Sequence, residues 1–144
     1  MKTSKELKAD YQQFISGIPD YLETAGRLLG LDDITFSYEE IDSFRSFYAS
    51  NFDKAEKHGL TREEFGNVFC AYAGEAFIQH CRGNWEISKL KSDEACGTPI
   101  ILNWGFTGKP RARISPTIWR TLIEKGKFKE TLSSVIEKAK TRQN

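Results

Sequence analysis

The sequence is poor in the residues that staple small proteins or hold metals. It contains only three cysteines and two histidines. Cys70, Cys81 and Cys96 form no Cys-x-x-Cys pair, and a disulfide framework normally uses an even count. They read as reduced thiols of a cytoplasmic protein. His58 and His80 lack partners at the close spacing that zinc sites use. His80 and Cys81 are adjacent on a helical stretch and point about 100° apart, so they converge poorly. No structural metal and no cofactor is expected.

Other absences narrow the function. No stretch approaches the roughly 18 consecutive apolar residues of a membrane span. The opening Met1-Lys2-Thr3-Ser4-Lys5-Glu6 leads into an amphipathic segment, without the apolar core or cleavage site of a signal peptide. There is no Gly-x-Ser-x-Gly elbow, Walker sequence or Gly-x-Gly-x-x-Gly cradle. Charge of neither sign dominates: 21 basic and 20 acidic residues leave a net +1. No global field therefore draws the chain onto nucleic acid or an anionic membrane.

What is present is enough for a core. The 144 residues are 39% hydrophobic and include ten Phe, five Tyr and three Trp. A chain of this length buries roughly 68–70% of its unfolded surface. One domain spanning residues 1–144 is expected, with an aromatic-rich interior.

Hydrophobic period then divides the chain. Leu7, Tyr11, Phe14, Ile15 and Ile18 recur at helical spacing, which predicts a helix over 4–16. Gly17 and Pro19 interrupt it, and Pro19 suits the first turn of a second helix that stops at Gly30. Ser37-Tyr38-Glu39-Glu40 is a capping-box sequence and opens a third helix with Ile41, Phe44, Tyr48 and Phe52 inward. Thr61-Arg62-Glu63-Glu64 repeats this grammar. The fourth helix carries a stripe of Phe65, Val68, Phe69, Tyr72, Ala76 and Phe77 and ends near Gly83.

Near Trp85 the period changes. Residues 85–90 alternate weakly, Thr98 to Trp104 is a short apolar run, and Arg111 to Ile114 reads as a third strand. Ser115-Pro116 caps a helix that ends at Gly126, and a last helix buries Phe128, Leu132, Val135 and Ile136. The fold class is α+β: about four N-terminal helices, a small three-stranded antiparallel sheet, then two C-terminal helices.

Two constellations carry functional weight. The segment 103–120 combines aromatic and basic residues, the types enriched at binding hot spots. Its candidate partner-binding residues are Trp104, Phe106, Lys109, Arg111, Arg113 and Arg120. A second, polar set is Glu75, His80 and Arg82, with Cys96 as an accessible thiol. There, Glu75 is an acid beside an apolar stripe, and an ion pair with Arg82 is the simpler reading than a general base. An acidic counterpart of Glu23, Asp32, Asp33, Glu39, Glu40 and Asp42 gathers around the second and third helices.

A further pattern is Gly74-Glu75 on a helix, Gly83-Asn84-Trp85 on a strand, Thr98-Pro99 on a strand and Ser115-Pro116 opening a helix. Over about 61–136 this resembles small bacterial proteins of uncharacterised or toxin-immunity type. The resemblance implies a compact cytoplasmic protein that binds another protein, with no catalytic residues to transfer. The expected function is a protein-binding module, not an enzyme, and the partner that the resemblance implies is a toxin blocked at its active surface. The rivals are a small enzyme or ligand-binding protein using Glu75, His80 and Arg82, and a weak nucleic-acid binder using 103–120.

Overall fold

The computed structural model describes residues 2–89, 95–108 and 112–141. Among these the fold is α+β, with five α-helices and one two-stranded antiparallel sheet. The order is α1 (Ser4–Leu29), α2 (Tyr38–Asn51), a 3₁₀ segment (Phe52–His58), α3 (Arg62–Cys81), β1 (Asn84–Ile87), β2 (Pro99–Leu102), α4 (Pro116–Glu124) and α5 (Leu132–Thr141). No helix among the described residues is long and apolar enough to cross a membrane.

The first two expected helices are one. α1 runs 26 residues, straight through Pro19. An interior proline removes a hydrogen bond and costs about 3 kcal/mol in an isolated helix. Tertiary packing overrides that cost here. Phe14, Ile18 and Ala25 are buried at helical spacing, so the inward stripe keeps its phase past Pro19, which itself faces solvent. Gly17 leaves room for the Tyr21 ring on this turn; an added Cβ would stand 3.0 Å from Tyr21 Cε2. The expected stop at Gly30 is observed, in the left-handed conformation at φ 68°.

The second capping box is complete. Thr61 Oγ1 accepts from the Glu64 amide at 3.0 Å, and Glu64 accepts from the Thr61 amide at 3.0 Å. The first is only half formed. Ser37 accepts from the Glu40 amide at 3.1 Å, but the Glu40 carboxylate turns elsewhere. It accepts from the Thr35 and Phe36 amides and from the Tyr72 hydroxyl at 2.6 Å. Thus a residue expected to cap a helix also ties α2 to α3.

α3 is the centre of the molecule. Its expected stripe is buried, but so are Gly66, Cys70, Ala71, Ala73, Gly74 and Cys81. A helix buried on all sides loses amphipathic periodicity. α1, α2, α4, α5 and the 3₁₀ segment all pack on it. Two glycines allow the closest approaches: a Cβ on Gly66 would lie 2.4 Å from Arg120 Nη1, and one on Gly74 would lie 2.1 Å from the Trp85 ring.

The sheet is smaller than expected. β1 and β2 pair antiparallel with Trp85 opposite Ile101. The third strand reduces, among the described residues, to one bridge between Ile101 and Ile114, with N–H···O distances of 2.8 and 3.1 Å. The reason is the cap that follows it. Ser115 accepts from the Ile118 amide at 3.2 Å and Pro116 occupies the first helical turn, so the chain must leave the sheet at once. Phe128 lies ahead of α5 rather than in it. Arg45 holds that connection, donating to the Phe128 carbonyl at 2.8 Å with its guanidinium 5.6 Å from the ring centre.

Buried phenols join the helices. Tyr72 donates to Glu40, and Tyr48 donates to Glu124 at 2.7 Å. Burial, then the neighbouring carboxylate, raises both phenol pKa values. Burial alone would raise the Glu40 pKa, but the hydrogen bonds from Thr35, Phe36 and Tyr72 outweigh it and hold the carboxyl below its ordinary 4.5. A group depressed in the folded state adds stability above its unfolded pKa, and the gain is lost as pH falls through the folded value. Glu40→Gln is therefore expected to be destabilising at neutral pH. Its deficit against the native chain should narrow as pH falls from about 6 to about 3, in denaturant titrations at each pH.

Candidate functional site

Among the described residues, the members of the two expected constellations take separate places, and one member of each meets the other. In the basic aromatic set, Trp104 belongs to the core. It is only 8% exposed, its ring stands edge-on to Phe77 at 5.5 Å, and Nε1 donates to the Ala112 carbonyl at 2.8 Å. Arg120 lies across Gly66 at the seam of α3 and α4. There it ion-pairs with Glu124 at 3.5 Å, which also receives Arg62 at 3.2 Å. Arg113 is half-buried. Lys109 and Arg111 lie outside the described residues. Phe106 alone of the set's aromatics is exposed, at 52%.

The polar set also disperses. Glu75 accepts from Trp85 Nε1 at 2.8 Å, so its carboxylate anchors β1 to α3 rather than pairing with Arg82. His80 Nε2 donates to the Phe36 carbonyl at 2.7 Å while its ring lies 4.9 Å from that of Tyr38. Arg82 leaves the helix end and places its guanidinium 4.3 Å from the centre of the Phe106 ring.

This Arg82–Phe106 corner is built at a cost. Arg82 has φ 65° and ψ −168°, a backbone region that is almost exclusive to glycine and costs an L-residue about 1–3 kcal/mol. The surroundings enforce it. The Arg82 amide still donates to the Ile78 carbonyl at 2.8 Å, closing the last turn of α3. The next residue, Gly83, is pressed on the sheet, where an added Cβ would lie 2.7 Å from Ile101. The loop after β2 docks on the same helix end: Gly105 N–H donates to the Cys81 carbonyl at 2.7 Å. Asn103, at φ 58°, turns the chain and donates through Nδ2 to the Asn84 side chain at 2.9 Å. Two turns that are distant in sequence thus present one cation and one ring side by side.

Cys81 lends its backbone carbonyl to this corner, and its thiol donates to the Ile136 carbonyl at 3.8 Å. Burial pushes Cys70 and Cys81 up to about 11, so both are neutral thiols at neutral pH. Among the described residues, no three of His, Cys, Asp and Glu gather as a metal site. The acidic residues line two shallow grooves beside the end of α1. Glu39 and Asp42 border one with Leu29 and Phe47; Glu23, Asp32 and Asp33 border the other with Leu31. Asp42 is already committed, receiving the Ser133 amide at 3.0 Å and its hydroxyl at 2.5 Å. Glu40 faces inward to Tyr72, so the acidic face is weaker than its sequence suggests.

No protein-family model matches the chain, and neither curated proteins nor solved structures provide a match.

Sequence reasoning missed the pairing of Arg82 with Phe106. The local signal was Arg82-Gly83 directly after a helical stripe, which reads as an ordinary helix stop. Nothing in the sequence shows that the 103–108 turn docks there.

Proposed function

We propose that this chain is a small cytoplasmic protein-binding module, of the bacterial toxin-immunity kind, that contacts its partner through the Arg82–Phe106 corner. It would neutralise a toxin by covering the toxin's active surface. One observation carries the reading: a strained backbone holds a guanidinium against a ring that is half exposed. Backbone strain persists where the surroundings over-determine it, and it clusters at functional positions. Arginine and aromatic side chains are the usual anchors of protein interfaces.

The residues of the resemblance serve the packing of the fold. Gly74 seats the Trp85 ring, Glu75 holds its indole N–H, Gly83 presses on Ile101, and Pro116 starts α4 behind Ile114. They act as scaffold rather than as chemistry, and Gly83 among them adjoins the corner. The test is capture of partners from native cells followed by mass spectrometry, together with protection of cells from a toxin encoded next to this gene. A stoichiometric protein partner supports the reading. Recovery of none, with no protection, contradicts it.

The strain itself gives a prediction. Alanine and glycine at position 82 both lose the stack on Phe106, and glycine ordinarily costs about 0.5–1 kcal/mol more than alanine. Here glycine relieves about 1–3 kcal/mol of backbone strain that alanine retains. Arg82→Gly is therefore expected to be more stable than Arg82→Ala by about 1 kcal/mol, or about 3 °C in Tm. Thermal unfolding of the two variants checks the sign.

A further inference from the structure

Resting on that reading, the geometry points to the chemistry of the partner: we infer that the corner receives a protein segment carrying a carboxylate next to an apolar side chain. The guanidinium has five N–H donors around the edge of its plane. The Phe106 ring offers only its face, so it holds the group in place without satisfying those donors. Among the described residues, no carboxylate or carbonyl pairs with the Arg82 side chain. The other arginines for which ion pairs or hydrogen bonds are seen, Arg45, Arg62 and Arg120, are each engaged by an oxygen. Arg82 is thus a fork held over a ring, and a planar carboxylate is the group that fits such a fork through two parallel hydrogen bonds.

Phe106 and the charge balance together decide between the two oxyanions that a guanidinium recognises. Its half-exposed ring gains by burial against an apolar side chain. Bases of a single strand could also stack on the ring, but they come with a phosphate backbone. Binding to nucleic acid also draws on many cations, and this chain's charges are nearly balanced. Among the described residues, the Arg82 guanidinium beside the Phe106 ring suits a carboxylate in a protein interface. Arg82 would select for the acid and Phe106 would supply contact area.

The test uses the full chain, ¹³C,¹⁵N-labelled, with three probes: a capped peptide of alternating Glu and Leu, the same peptide with Gln for every Glu, and oligothymidylate. The readouts are the Arg82 Nε–H and Phe106 ring signals. The Glu peptide is expected to move both signals, at concentrations about tenfold below those needed with the Gln peptide, and the preference should shrink as salt rises. Arg82→Gln should abolish that preference, with unchanged fluorescence of the three tryptophans showing that the fold is intact. Equal titration by the Glu and Gln peptides would overturn the carboxylate assignment while leaving a protein-binding corner in place. Response to oligothymidylate alone, or to no probe, would overturn both.

Discussion

Phe106→Ala is expected to weaken binding of the protein partner by about 30-fold or more, while Tm changes by no more than about 2 °C. The first figure follows from the central position assigned to the ring. Truncating an anchor residue costs about 2 kcal/mol or more of binding free energy, which is a factor of about 30. The second follows from its exposure. Phe106 is 52% accessible and contributes no buried core volume that alanine would leave empty. Removing it forfeits the stack under Arg82, worth about 0.5–1 kcal/mol at an exposed site. A variant that loses its partner and keeps its fold separates contact from scaffold. Titration calorimetry with the captured partner, alongside thermal unfolding, measures both.

Gly74→Ala is expected to have the opposite signature. Alanine is normally favoured over glycine in a helix interior by about 1 kcal/mol. Here the added Cβ would stand 2.1 Å from Trp85 Cη2 and 2.3 Å from Cζ2. The ring has little freedom to retreat. Its indole N–H is bound to Glu75 at 2.8 Å, and its other side meets Phe14 edge-on at 5.4 Å. Overpacking a core typically costs about 1–3 kcal/mol, and moving the ring also breaks the Glu75 hydrogen bond, worth about 1 kcal/mol or more. The clash outweighs helix propensity, and a net loss of about 2 kcal/mol, near 7 °C in Tm, is expected. Trp85→Phe in the same chain removes the atoms that collide and should recover part of the loss. A double-mutant cycle by denaturant unfolding measures that coupling. An unchanged or raised Tm for Gly74→Ala would show that the Trp85 seat is looser than described.

These two positions also show how far the sequence could be read. Thr61 with Glu64, Gly30 as a helix stop, and Ser115-Pro116 as a helix start are local features. Local chemistry decides them, and each appears where its spacing places it. Pro19 was misleading because a breaker acts locally while the stripe of Phe14, Ile18 and Ala25 is held by neighbours distant in sequence. Ser37 with Glu40 is a similar case: the pattern was present, but Tyr72 competes for the Glu40 carboxylate. Among the proposed binding residues, composition identified Phe106 and Arg82 separately. It could not separate Phe106 from Trp104, since both follow β2 within a few residues and only the docking of the turn decides which ring is covered. Arg120 looked like part of the same basic surface, yet helix α4 carries it to Gly66 and Glu124.

The most direct test of the corner as contact surface is amide hydrogen exchange of the full chain, free and bound to its captured partner. Residues 82–84 and 103–108 should exchange more slowly in the complex, with the groove of Leu29, Glu39 and Phe47 unchanged. Protection confined to that groove, with exchange at 82–84 and 103–108 unaltered, would contradict the assignment.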